Sequence, residues 1–112
     1  MSHPIEDPRT TRFRAMTEDD PENELAWFSL GQALFDAGRY TDALPAFARA
    51  AELQPDLMMA YLRQAECWME LKDLAKARPL AEKTRELAIA QNHIGPREDA
   101  DELLEEIEDA LD

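Results

Sequence analysis

Apolar residues in the middle of the chain recur at spacings of three and four, which is the pattern of a helix that buries one face. The first apolar stripe consists of Trp27, Leu30, Gly31 and Leu34. The second consists of Ala43, Phe47, Ala50 and Leu53. Gly38 lies between them and supplies the left-handed residue that commonly ends a helix, and Thr41 or Asp42 can cap the helix that follows. The pattern predicts two helices packed as an antiparallel hairpin.

Similar patterns extend toward both ends of the chain. Upstream, Asp7 can cap a short helix over residues 8–17. Downstream, the spacing predicts helices over residues 57–71 and 74–92. A last helix, over residues 96–112, has an apolar face made of Ala100, Leu103, Leu104, Ile107 and Leu111. The sequence therefore predicts an all-α protein of about six helices.

The chain also repeats itself at an interval of 34 residues. This shift aligns Pro21 with Pro55, Trp27 with Tyr61, Leu34 with Trp68, Ala43 with Ala77 and Pro45 with Pro79. A register that keeps aromatic on aromatic and small on small is not expected by chance. It indicates two copies of one helical hairpin.

The first copy resembles the tetratricopeptide repeat family, whose pattern over 34 residues is W-x2-L-G-x2-Y, then A-x3-F, then P. The matching residues are Trp27, Leu30, Gly31, Ala43, Phe47, Ala50 and Pro55, with Leu34 in place of the family's aromatic residue. The second copy departs from the pattern at Gln64, Ala65, Lys72 and Ala81. The resemblance implies a short α-solenoid of antiparallel helix hairpins.

The resemblance also divides the chain. Residues 1–7 are expected to form a disordered tail, and residues 8–95 the repeat domain. That domain would contain a half-repeat helix at 8–17, a first repeat at 24–57 and a second repeat at 58–92. Two repeats alone would expose an apolar face at each end, so residues 96–112 are expected to form a C-terminal capping helix.

In this family the first helix of each repeat lines a concave groove, whose exposed side chains select the ligand. In the first repeat the resemblance places the groove at Leu25, Phe28, Gln32, Phe35 and Asp36. In the second repeat it places the groove at Met59, Leu62, Arg63, Glu66, Met69 and Glu70. These residues would form an apolar groove with an acidic rim, which suits a basic or amphipathic helix or peptide of another protein. The expected function is a protein interaction module that acts as an adaptor, scaffold or chaperone.

Two alternatives to a free groove remain open. The same apolar surface can pair two copies by a closed two-fold contact, which would make the chain a structural or assembly protein that forms a homodimer. Alternatively, the terminal segments of the chain cover these side chains, which would then belong to the core.

Charge narrows the choice of partner. The 112 residues include 25 acidic and 12 basic side chains, which gives a formal net charge of -13. Such a field repels nucleic acid and anionic membranes and favours basic or neutral proteins. Because no apolar run approaches the length of a membrane span, we expect no membrane insertion and a cytoplasmic location.

Candidate residues for catalysis are scarce. Cys67 is the only cysteine, which excludes an internal disulfide, and it is expected to be a small buried residue. His3 and His93 are too few for a metal cluster. Paired carboxylates such as Glu105 and Glu106 lie in solvated charge runs. We therefore expect no enzymatic activity, no metal and no cofactor.

Overall fold

The computed structural model describes residues 6–111, so most of the expected tail at residues 1–7 lies outside the described part. Six helices follow one another as α1 (Pro8–Asp19), α2 (Glu24–Asp36), α3 (Tyr40–Leu53), α4 (Met58–Glu70), α5 (Leu74–Ala90) and α6 (Ile94–Leu111). Each helix packs mainly on its neighbours in the chain, and α2 also touches α4 as α4 touches α6. The prediction of a short all-α solenoid of about six helices is confirmed.

Side-chain caps begin three of these helices. Asp7 accepts a hydrogen bond from the backbone N–H of Thr10 at 2.8 Å, as the sequence predicted, and Asn23 and Asp73 cap α2 and α5. The expected cap of α3 by Thr41 or Asp42 is wrong. A helix capped by Thr41 would begin at residue 42, whereas α3 begins two residues earlier at Tyr40, and the Asp42 carboxylate instead pairs with the side chain of Arg39 at 2.8 Å.

One hydrogen bond recurs in both repeats. The indole Nε1 of Trp27 donates to the carbonyl of Pro21 at 2.8 Å, and the hydroxyl of Tyr61 donates to the carbonyl of Pro55 at 2.9 Å. Each bond ties the first helix of a repeat to the turn before it. The 34-residue repeat of the sequence is therefore accompanied by a repeat of this hydrogen bond.

Phe47 is the centre of the core. Its ring is fully buried and lies so close to α2 that a Cβ atom added at Gly31 would meet the ring at 2.8 Å. The equivalent pair in the second repeat is Ala65 and Ala81, both fully buried, so a small residue on each helix replaces the pairing of glycine with phenylalanine. Cys67 is buried in the same core cluster as Phe47, and burial raises the pKa of its thiol to about 12. A thiol in that state is an inert core group at neutral pH.

The N-terminal helix is held to the first repeat by packing and by charge. Phe13 packs against the Phe47 core cluster. The Glu6 carboxylate pairs with Arg14 and, at 3.3 Å, with Arg39. The Arg14 guanidinium, with a smaller contribution from Arg39, holds the pKa of Glu6 below its usual range.

Gly31→Ala should lower the free energy of unfolding by about 1–2 kcal/mol, because the overpacking cost exceeds the gain in helix propensity. Urea unfolding measures this change. The loss should shrink in a Phe47→Leu background, since the ring is its cause. A Gly31→Ala protein as stable as the parent would contradict this packing.

The turn residues Gly38 and Lys72 occupy equivalent places, with φ values of 76° and 64°. Lys72→Gly should therefore raise the free energy of unfolding by about 0.5 kcal/mol, after the entropy of the unfolded glycine is subtracted. Gly38→Ala should lower it by about 1 kcal/mol through the local backbone strain alone, because no atom beyond the neighbouring residues lies within 4 Å of the new Cβ. If Lys72→Gly destabilises the protein, a contact of the lysine side chain must outweigh the backbone cost.

The Glu6 contacts predict a pH dependence. Because the folded pKa of Glu6 is lowered, its contribution is fully present above its unfolded pKa of about 4.3 and is lost as the pH falls through the folded value. Glu6→Gln should lower the melting temperature at pH 7, and the melting temperatures of the two proteins should converge as the pH falls through the folded pKa of Glu6. A difference that persists unchanged at acidic pH would show that the ion pairs do not stabilise the fold.

Candidate protein-binding groove

The expected groove residues come from two helices that lie side by side. Helix α2 carries the five from the first repeat and α4 the six from the second. Direct contact across the seam is made by Arg63, whose Nε donates to the Oε1 of Gln32 at 2.9 Å. The Arg63 guanidinium also lies over the ring of Phe35, with its Cζ 5.5 Å from the ring centroid. The structure therefore brings the polar members of the two sets together.

A chain of polar contacts crosses the groove. Arg9 of α1 pairs with Asp36 at 2.7 Å, and the Nε2 of Gln32 donates to the same carboxylate at 2.8 Å. The chain continues through Gln32 to Arg63, which pairs with Glu66 at 2.6 Å. We call these five residues the polar ladder. The Arg9 hydrogen bond, followed by that from Gln32, holds the pKa of Asp36 below its usual range.

The polar ladder changes the predicted electrostatics of the rim. Asp36 and Glu66 were expected to offer free negative charge, but each already has an arginine partner. Of the three expected rim carboxylates, Glu70 alone makes no ion pair with the residues of the range 6–111. Sequence reasoning missed Arg9 because it lies 27 residues before Asp36 on a different helix.

The apolar members of the groove differ widely in exposure. Leu25 is 63% exposed, whereas Phe28, Phe35, Met59 and Met69 are half-buried. The ring of Phe28 meets Phe47 edge-on with the centroids 5.4 Å apart. Phe35 meets both Phe47 and Tyr40 in the same manner. The aromatic side chains are thus fixed from below by the core and keep part of their surface free.

The assignment of Leu62 to the groove surface is wrong. Its side chain is only 1% exposed. Met58, Leu62 and Ala65 follow one another at i, i+4 and i+7, and all three are buried, so they form the core-facing stripe of α4. Arg63 and Glu66, on the next rows of the helix, are partly exposed.

Helix α6 forms a further wall of the groove, and the 34-residue repeat of the sequence did not reveal this role. Ala100 and Ile107 of α6 are fully buried and stand 40 residues after Ala60 and Cys67, which are buried in the same way on α4. The larger interval arises because α5 has 17 residues against 14 in α3 and α6 begins with four residues that have no counterpart in α4, while the turn before α6 is one residue shorter. An interval of 40 with this spacing of small apolar residues is the signal that identifies α6 as the counterpart of α2 and α4.

A depression of about 220 Å³ lies on the seam between α4 and α6. It is lined by Met69, Lys72, Leu74, Glu106 and Ala110. Met69 was among the expected groove residues, whereas Glu106 and Ala110 belong to the helix expected only as a cap. The groove surface therefore continues from α2 across α4 to α6, and its last wall is acidic.

The chemistry available in this groove is that of packing and charge. The part of the chain that the structure describes contains no group of three or more histidine, cysteine or carboxylate side chains placed to hold a metal ion. No helix between residues 6 and 111 combines the length and the hydrophobicity that a bilayer crossing needs. A ligand in this groove would contact its apolar side chains, the polar ladder and the carboxylates of α6.

Several solved structures share this architecture. PcrH in complex with the chaperone binding region of PopD superposes with a TM-score of 0.88 at 26% identity, over 92% of this chain and 78% of that one. The translocator chaperone SycD from Yersinia enterocolitica gives a TM-score of 0.85 at 20% identity, over 88% and 69%. The TPR2B domain of yeast Sti1, in its complex with pHsp70, gives 0.82 at 20% identity, over 90% and 81%. These likenesses show the fold of protein-interaction modules.

Sequence comparison gives shorter matches to curated proteins. Superkiller complex protein 3 of mouse is 43% identical over 44 residues, and its human counterpart is 36% identical over 53 residues. The matched segments cover 39% and 47% of this chain and span about 3% of the length of each relative. The family model of the tetratricopeptide repeat matches residues 11–57 and again residues 35–92. Together the two matches extend over most of the chain, which belongs to the tetratricopeptide repeat family.

Proposed function

We propose that this chain is a non-enzymatic interaction module that binds a peptide or helical segment of another protein in the groove formed by α2, α4 and α6. The observation that carries this proposal is the partly free apolar stripe of α2, where Leu25 is 63% exposed and Phe28 and Phe35 are held in place by Phe47. Rigid aromatic anchors with one free face are typical of binding surfaces, because little side-chain entropy is lost on binding.

The charges of the groove suggest how a partner segment is oriented. Asp36 and Glu66 are neutralised within the polar ladder, so they attract a cationic partner weakly. Glu70 of α4 and Glu106 of α6 make no ion pair within residues 6–111 and carry the free negative charge. We infer that apolar side chains of the partner lie on α2 while its basic side chains lie toward α4 and α6.

The structural neighbours support a binding role of this kind. PcrH is seen with a region of PopD, and the Sti1 domain is seen with pHsp70. Roles as an adaptor, a scaffold or a chaperone all fit such a module. A cytoplasmic location is part of this proposal, because the single cysteine is buried as a thiol and needs no oxidising environment.

Self-association through the same groove is the second candidate. Partly exposed apolar residues on α2 favour it, but the net charge of -13 opposes it because two copies repel each other. We therefore rank a different, less acidic protein ahead of a second copy.

A random peptide library selected on the purified protein tests the proposal. Enriched peptides should pair apolar with basic residues, and Leu25→Glu should weaken their binding by at least about tenfold, since it places a charge on the apolar stripe. The melting temperature should stay nearly unchanged because Leu25 is exposed. Fluorescence anisotropy and thermal unfolding provide these two readouts.

Ile94→Glu is the matched control, because Ile94 is 72% exposed and begins α6 outside the groove. It should leave the affinity of the selected peptides within about twofold of the parent value. If Leu25→Glu and Ile94→Glu behave alike, or if no peptide is enriched, the groove is not the binding site.

A further inference from the structure

Two depressions occupy equivalent places in consecutive repeats, on helix surfaces that the groove does not use. The first is lined by Ala48, Ala51, Glu52, Tyr61, Gln64 and Leu80. The second, of about 420 Å³, is lined by Glu82, Arg85, Glu86, Ile89 and Leu104. Residues 82, 85 and 86 stand 34 positions after residues 48, 51 and 52, and Leu104 stands 40 positions after Gln64. The second depression is therefore the first one repeated one helix pair later.

The two depressions differ in what covers them. Leu80, which belongs to the following helix α5, contributes to the wall of the first. Among residues 6–111, those that line the second belong to α5 and α6 alone. Ile89 at its edge is 43% exposed and also lines a smaller depression of about 170 Å³ together with Ile94. Apolar surface of this kind is what a packed helix would bury.

The composition of α5 indicates which kind of helix packs beside such a depression. It presents Leu80 to the first depression, and its sequence also contains the basic residues Lys76, Arg78 and Lys83. It thus combines one leucine anchor with flanking cations.

The corresponding surface of α6 is acidic. By the 40-residue interval, Asp101, Glu105 and Glu108 take the places of Tyr61, Ala65 and Trp68. Asp101 pairs with Arg85 at 2.7 Å, whereas Glu105 and Glu108 are exposed and form no ion pair with the residues that the structure describes. Glu82 on α5 adds to this negative charge, whereas Glu86 already pairs with Lys83 at 3.8 Å. A cation-bearing helix complements that charge, and a second copy of this acidic chain does not.

We propose that this surface, made of Glu82, Glu86, Ile89, Leu104, Glu105 and Glu108 and here called the end face, docks a cationic amphipathic helix of a partner protein. A leucine-sized side chain of that helix enters the depression between Ile89 and Leu104, as Leu80 enters the first one. Its lysines or arginines pair with Glu82, Glu105 and Glu108. The end face lies outside the α2 apolar stripe, so this inference does not rest on the proposed groove.

The test uses a synthetic amphipathic helix of leucine, alanine and lysine, about four turns long, and a scrambled peptide of the same composition. Titration into the labelled full chain should shift the NMR signals of Ile89 and Leu104, and calorimetry should give an affinity at least about tenfold above that of the scrambled peptide. Glu105→Lys with Glu108→Lys should weaken binding by at least about tenfold, with the melting temperature little changed because both side chains are exposed.

Matched controls separate the end face from general electrostatics and from the groove. Glu18→Lys with Asp19→Lys makes the same change of four charge units on α1 and should weaken binding by less than about threefold. Leu25→Glu should leave the affinity measured from the Ile89 and Leu104 signals unchanged, because binding of the same peptide to the groove is reported by separate shifts of the α2 stripe. Equal weakening by both charge reversals, equal binding of the scrambled peptide, or shifts confined to the α2 stripe would each overturn the proposal. So would concentration-dependent shifts at Ile89 and Leu104 without peptide, because they would assign the end face to a second copy.

Discussion

The contact between the Phe47 ring and the backbone at Gly31 sets the spacing between α2 and α3, and the groove depends on that spacing. With a distance of 2.8 Å to the place of a Cβ atom, only glycine allows the two helices to approach this closely. The same ring supports Phe28 and Phe35 from below, so the aromatic side chains that face the groove rest on the core contact. The close approach of α2 and α3 therefore fixes the partly apolar surface of the groove.

The second repeat reaches a similar geometry with different side chains. Ala65 and Ala81 replace the pair of glycine and phenylalanine, and Lys72 adopts the left-handed turn conformation that Gly38 adopts in the first repeat. Without a large ring in its core, this repeat supports its surface by other contacts, among them the packing of α6. The acidic α6 then adds unpaired carboxylates to a groove whose α2 and α4 carboxylates are largely neutralised by arginines.

Local patterns in the sequence were sufficient to predict the helices, the cap at Asp7 and the turn at Gly38, because each of these features depends on residues only a few positions apart. The ion pair of Arg9 could not be predicted from the sequence, because its partner Asp36 is brought near only by the packing of α1 on α2. Leu62 was misplaced because neighbouring positions on a helix differ in burial according to how that helix is rotated against the core. The 34-residue register did not connect α6 with α2 and α4, because α5 is three residues longer than α3 and α6 begins with extra residues.

We assign the free apolar surfaces of this chain to binding of other proteins rather than of a second copy. Light scattering across a wide concentration series tests this claim most directly. The account predicts a single mass of 12.8 kDa at every concentration, because the net charge of -13 keeps copies apart. A mass that rises with concentration toward that of a dimer would contradict it and would favour the assembly role.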